Sequence, residues 1–216
     1  LFHFLMAESL HDRILRACAT VYAQCGWRGA TTKRIADEAG VNEVTLFRHF
    51  GSKDALLQQV LQERQREGAA IALPAPPQDP EQELADWLAR HHARTTEHRD
   101  FVRQVVSDAH ERPDVACRAA QGPSSASAQL RDYVIQLNRH GWLAHPDAIT
   151  PAELTAASTM LIGAMFADAM NRDLMPALFP QPVDVSLRAY VRIFLRALGV
   201  RPAAATGAPP SPASHA

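Results

Sequence analysis

The stretch from Gly29 to Leu57, GATTKRIADEAGVNEVTLFRHFGSKDALL, narrows the folds open to this chain more than any other. Two short segments with helical apolar spacing flank a glycine, and a third begins at Lys53. Thr31 or Thr32 offers an N-cap to the first, whose Ile35, Ala36 and Ala39 fall on one side. Gly40 supplies the open or left-handed backbone that a sharp turn needs, and Val41 plugs the corner. Asn42 can cap a second helix that turns Leu46 and Phe50 inward. Glu43, Val44, Thr45, Arg48 and His49 are left on its outer side. A face with donors, a small apolar group and a hydroxyl suits base edges in a major groove. Lys33, Arg34 and Lys53 lie at neighbouring helix starts, where free N–H groups already favour a phosphate. The pattern is that of a helix-turn-helix fitted to DNA.

The rest of the chain is helical in pattern, and the expected fold class is all-α. Leu10, Ile14, Ala17, Cys18 and Val21 recur at helix spacing, a first helix packing on the reader. A connecting helix runs from Lys53 to about Glu67. Pro74, Pro76, Pro77 and Pro80 then break the chain. Further helices are expected near 81–98, 99–111, 124–141, 151–172 and 183–198. These divisions give a DNA-binding domain at 8–67, a connecting-helix end and Pro-rich linker at 68–80, and a helical domain at 81–200. The small, Pro-rich tail at 201–216 is expected to be disordered. Met6 followed by AESLHDRIL looks like a natural start, so residues 1–5 are expected to precede it.

With 47% hydrophobic residues, the chain can bury a core of one or two domains. Its net charge of −1 carries no global nucleic-acid signature. Nine Lys and Arg stand against seven Asp and Glu up to Arg66, and thirteen against sixteen beyond it. That bias points the right way but is too small to argue from alone. The odd cysteine count (Cys18, Cys25, Cys117) disfavours a disulfide framework; Cys18 and Cys25 read as core of the first helix, with a redox switch as the alternative. The apolar run Leu154 to Ala167 rises only about 21 Å as helix, short of the roughly 30 Å of a bilayer core. No membrane partner is expected, and Leu1–Leu5 is too short and unflanked for a targeting signal.

The residues at 31–41 (TTKRIADEAGV), 45–50 (TLFRHF) and 52–57 (SKDALL) together resemble the N-terminal domain of TetR-type transcriptional regulators, over roughly residues 9–66. The resemblance implies a three-helix helix-turn-helix domain followed by a helical bundle that binds an effector and dimerises through its last two long helices. It implies that Thr32, His49 and Lys53 meet phosphates. Phe47 stands where the family usually carries a tyrosine whose hydroxyl meets a phosphate, so the ring is left for packing or a thymine methyl. The stretch VVSDAHERPDV at 105–115 resembles a signature of effector domains in the family. The full set expected at DNA is Thr32, Lys33, Arg34, Asn42, Glu43, Val44, Thr45, Phe47, Arg48, His49 and Lys53. Within it, Val44 can touch a thymine methyl, Lys33 can donate to guanine, and Glu43 can accept from a cytosine amine or simply favour the helix start.

The expected function is a cytoplasmic, homodimeric, ligand-responsive repressor of transcription that binds double-stranded operator DNA and is released by a small apolar or amphipathic effector. An activator of the same family and a helical protein–protein adaptor are the alternatives. Small and apolar residues on every side of 151–172 suit a symmetric four-helix interface, with Gly163, Ala164, Ala167, Tyr190 and Phe194 as candidates. Trp87, Phe101, Val105, Trp142, Met160 and Phe166 could line an effector pocket or be plain core. The histidines of the second domain (His91, His92, His98, His110, His140 and His145) show no metal-ligand spacing and read as polar surface or pocket residues. No constellation of nucleophile, base and oxyanion donors is present, so neither an enzyme, a metal nor a cofactor is expected.

Overall fold

A computed structural model describes residues 8–145 and 149–202. The expected features on 1–7, 146–148 and 203–216, including the tail after Pro202, lie outside the described residues. Ten α-helices follow in order: α1 (Leu10–Gly29), α2 (Thr32–Ala39), α3 (Glu43–Phe50), α4 (Lys53–Ala69), α5 (Pro80–Glu97), α6 (Arg99–Asp108), α7 (Pro113–Ala119), α8 (Gln121–Arg139), α9 (Pro151–Asn171) and α10 (Val183–Ala197). Beyond them the described residues hold a short 3-10 turn at Pro176–Leu178 and an isolated antiparallel bridge between Leu143 and Val200. The fold is all-α. No described helix is long and apolar enough to cross a membrane.

Helix starts follow the capping chemistry of the sequence. Ser9 accepts from the Asp12 amide at 3.1 Å and Thr31 from that of Arg34 at 3.3 Å. Ahead of α9, Thr150 and Glu153 close a reciprocal capping box, each side chain taking the other's backbone N–H.

The chain divides into two compact units. One joins the segment up to Glu67 with His98–Gln121, and the other joins Gly68–Glu97 with the chain from Gly122 onward. This differs from the sequence expectation, which grouped 81–200. Helices α6 and α7 bury Phe101, Val105 and Val115 in the same core as Ile14, Tyr22, Ile35, Leu46 and Leu57. The rings of Tyr22 and Phe101 lie 5.2 Å apart. Phe101 and Val105 are one turn apart on one face, and helical spacing says that such a face is buried without saying against what.

The second unit has its own core of Leu84, Trp87, Leu88, Leu130, Tyr133, Trp142, Leu161, Met165, Val191 and Phe194, among others. Ile71 and Leu73, in the segment read as linker, pack on this core, and the Trp87 indole donates to the Ile71 carbonyl at 3.1 Å. The site candidates of this region scatter. Phe101 and Val105 belong to the first unit's core, Trp87 and Trp142 are fully buried in the second's, and Met160 is 73% exposed. Phe101 and Val105 thus fall in a different core from Trp87 and Trp142. Phe194 is buried in its own unit's core, not on an outward face, and the Tyr190 hydroxyl donates to Asp168 at 3.1 Å. Among the dimer candidates, Gly163 is exposed, with nothing within 4 Å of where a Cβ would stand, while Ala164 and Ala167 are half-buried. The large apolar residues that α9 and α10 leave outside are Met160, Val185 and Ile193. An all-round apolar helix hides its phase, so the sequence did not separate the inner residues from the outer ones.

A carboxylate sits inside this unit. Asp168 has no exposed surface and accepts from Arg172 Nε and Nη2, both at 2.6 Å, from Ser186 Oγ at 2.9 Å, and faces His92 Nε2 at 3.1 Å. Burial alone would raise its pKa, but the bonds from Arg172, Ser186, His92 and Tyr190 outweigh it and hold the carboxyl below its ordinary value. His91 and His92 are interior residues rather than surface ones. The His91 ring meets Trp87 edge-on at 4.4 Å, and burial, helped by Arg94 and Arg90, lowers its pKa from 6.5 to about 4.

That depression has a sign. Below pH 6.5 the unfolded chain takes up a proton that folded His91 excludes, so its contribution is complete above 6.5 and lost as pH falls towards 4. The full effect is on the order of 3 kcal/mol. Urea unfolding should show the second unit weakening from pH 7 to 4.5, and His91→Phe, which keeps a ring against Trp87, should flatten that slope. An equally steep slope in the variant would place its cause elsewhere.

Candidate nucleic-acid interface

The corner between α2 and α3 is built from the backbone outward. Gly40 adopts φ 64° and ψ 38°, the left-handed conformation that costs a glycine least. From there the Val41 amide reaches back to the Ala36 carbonyl at 2.9 Å and the Gly40 amide to Asp37 at 3.1 Å, closing the end of α2. Asn42 Oδ1 accepts from the Thr45 amide at 2.7 Å and opens α3. Ile35, Ala36, Ala39, Leu46 and Phe50 are buried, and the His11 ring stacks on Phe50 at 5.0 Å.

Every residue expected at DNA lies on α2, on α3 or its cap, or at the first position of α4, but their side chains are not equally free. Val44 is 76% and Phe47 45% exposed, and Lys33, Arg34, Arg48 and His49 are exposed beside them. The Thr45 hydroxyl donates to Asn42 Oδ1 at 2.9 Å, so this pair is engaged in the cap. Thr32 donates from its hydroxyl to Glu43 Oε2 at 2.6 Å, tying the start of α2 to the start of α3. Arg34 Nη1 donates to the Gly29 carbonyl at 3.3 Å.

Lys53 departs furthest from the expectation of a free phosphate contact. Its Nζ donates to the Trp27 carbonyl at 2.8 Å and lies 3.8 Å above the Trp27 ring. Burial lowers its pKa, with Arg112 acting the same way and Asp54 opposing. The Arg112 guanidinium also lies over the Trp27 ring, 3.9 Å from its centre, and is held by Asp54 at 2.8 Å and Asp114 at 2.9 Å. The Trp27 amide donates to Asp108 Oδ2 at 3.0 Å, and Arg28 pairs with Glu111 at 3.0 Å. Gly26 admits this turn: it has φ 66°, and a Cβ there would meet Gln104 Nε2 at 2.5 Å. Sequence reasoning did not link Trp27 to the reader. The usable signal was the SDAHERPD stretch, whose Asp108, Glu111, Arg112 and Asp114 make these contacts.

Cysteine chemistry does not enter this site. Burial pushes the Cys18 thiol up to about 12, although Lys53 and Arg64 pull it down, and a thiol so placed is a packing residue.

Two capped helices joined by a left-handed glycine, with a basic and partly apolar outer face on the second, define a helix-turn-helix protein. The family model for bacterial regulatory proteins of the tetR family matches residues 14–60. An HTH-type transcriptional regulator of Bacillus subtilis, YvkB, is 26% identical over 135 residues, which span 61% of this chain and 69% of that protein. The HTH-type transcriptional repressor KstR2 of Mycolicibacterium smegmatis is 36% identical over 55 residues, about a quarter of either chain (26% and 27%). In fold, the chain is similar to a transcriptional regulator from Rhodococcus sp. Rha1, with a TM-score of 0.68 at 20% identity, covering 90% of this chain and all (100%) of that one. Residues 14–60 thus carry the reading domain of the tetR family of bacterial regulatory proteins, and the chain shares its fold with a solved transcriptional regulator.

The bond between Thr32 and Glu43 yields a clear expectation. Glu43→Ala should lower the thermal midpoint, since a hydrogen bond to a charged group contributes about 1–2 kcal/mol at a half-buried site. The duplex sequence selected from a random pool should stay the same. A changed consensus at one base pair per half-site would show instead that Glu43 reads a base.

Proposed function

We propose that this protein is a homodimeric transcriptional repressor that holds double-stranded operator DNA until a small effector binds its second unit. The observation that carries this reading is the outer face of α3, where Val44, Phe47, Arg48 and His49 stand exposed next to Lys33 and Arg34. Two such helices, related by a twofold axis, would enter major grooves about one helical turn apart, ~34–36 Å. Lys33, Arg34, Arg48 and His49 would position the domain on the backbone and reach base edges, with Asn42, Thr45, Thr32 and Lys53 holding the frame. The similarity to a protein named a repressor favours repression over activation. The cell compartment that fits is the cytoplasm, where the nucleoid lies.

Dimerisation is supported by the faces of α9 and α10. Met160 (73%) and Ile193 (64%) are large apolar side chains left exposed, with Val185 and Gly163 on the same two helices. The effector is proposed to be small and amphipathic. The second unit's core is apolar, yet His91 Nε2 and Trp142 Nε1 are buried in it with no hydrogen-bond partner, and a polar group on a bound molecule would satisfy them. Binding there would favour a conformer with a different spacing of the two reading helices. The coupling must be reciprocal, so operator weakens effector binding by the same factor.

Retardation of promoter DNA that weakens steeply with salt would separate this reading from an adaptor or an enzyme. Addition of the protein to transcription from its own promoter should lower the transcript. For assembly, Ile193→Glu should give a folded monomer by light scattering with operator affinity reduced at least tenfold, because one half-site forfeits the effective concentration of the second. A dimer that survives Ile193→Glu and Met160→Glu together would move the interface elsewhere.

A further inference from the structure

We propose that Val44 and Phe47 form an apolar pair that reads thymine methyl groups on neighbouring base pairs, making methyl contact a main source of sequence choice. The inference rests on the regulator reading above. Val44 and Phe47 are three residues apart on an eight-residue helix, hence on adjoining positions of one face. Their separation along the axis is about 4.5 Å, close to the roughly 3.4 Å between stacked bases.

Val44 is 76% and Phe47 45% exposed, and α2 and α3 also expose Lys33, Arg34 and Arg48. Valine is a mediocre helix former, so an exposed one at the second position of α3 is not explained by helix stability. The polar groups at the same end of α3 are committed to one another. Glu43 holds the Thr32 hydroxyl, and Asn42 Oδ1 holds both the amide and the hydroxyl of Thr45. What remains to meet base edges at that end is hydrocarbon. The thymine 5-methyl is the apolar feature that the major groove of unmodified DNA presents. Lys33, Arg34 and Arg48, exposed on the same two helices, supply positive charge suited to phosphates, which favours duplex DNA over an apolar protein surface as the occupant.

The test removes the methyl and nothing else. A preferred duplex is first selected from a random pool by the full-length protein. Each thymine is then replaced singly by deoxyuridine, which keeps pairing and every hydrogen-bonding edge. Wild type should bind about fourfold more weakly for each contacted methyl lost, at two neighbouring positions per half-site. Val44→Ala and Phe47→Ala change exposed side chains and should stay folded. Each should lose the deoxyuridine penalty at its own position and keep it at the other. A wild-type protein that binds the fully uracil-substituted duplex as tightly as the thymine one overturns the methyl readout while leaving DNA binding intact. Penalties that persist undiminished in both variants overturn it too. If no duplex is enriched at any salt concentration, the regulator reading falls and this inference with it.

Discussion

Trp27 is the point on which the first unit turns. Its carbonyl takes Lys53 at 2.8 Å, its amide is held by Asp108 at 3.0 Å, and its ring lies under the cations of both Lys53 and Arg112. A cation over a half-buried indole contributes about 0.5–2 kcal/mol, and here two of them share one ring. The consequence is positional. Lys53 is the first residue of α4, three positions beyond the end of α3, so the exit from the reading helix is anchored to α1. Asp54, beside it, takes Arg112 from the start of α7. Residues far apart in the chain thus set where α3 lies relative to the helix beneath it.

Within that frame, the reading face is shaped by what its polar groups already do. Capping is obligatory at a helix start, and Asn42 and Thr45 meet that need together. Glu43 is drawn to Thr32, which links the two helices of the corner at the cost of a free carboxylate. Local structure and recognition compete for the same side chains. The first turn of α3 resolves that competition by leaving hydrocarbon and outer cations facing away from the protein.

The second unit depends on a different device. A carboxylate without solvent exposure survives there because Arg172, Ser186, Tyr190 and His92 surround Asp168 with donors from α9, α10 and α5. Removing one partner from such a cluster leaves a buried charge and costs about 3–5 kcal/mol, whereas the intact cluster fixes how three helices meet. The same cluster turns Tyr190 inward and leaves Ile193 on the outer side of α10.

By itself the sequence determined the family of the reading domain, the all-α class and the helix-turn-helix corner down to its caps: Thr31, Gly40 and Asn42 act where their local chemistry requires. These features rest on contacts within a few residues, and spacing in the chain reports them directly. It did not determine which side of α9 is inside, because that helix is apolar or small all round; Met160 and Leu161 are neighbours in sequence and opposite in burial. Nor could it assign α6 and α7 to the first unit, or divert Lys53 to Trp27 and Glu43 to Thr32. Those outcomes were decided by tertiary structure alone. Each depends on which partner a side chain meets across many residues, and a periodic pattern records that a face is buried or charged without recording what lies opposite.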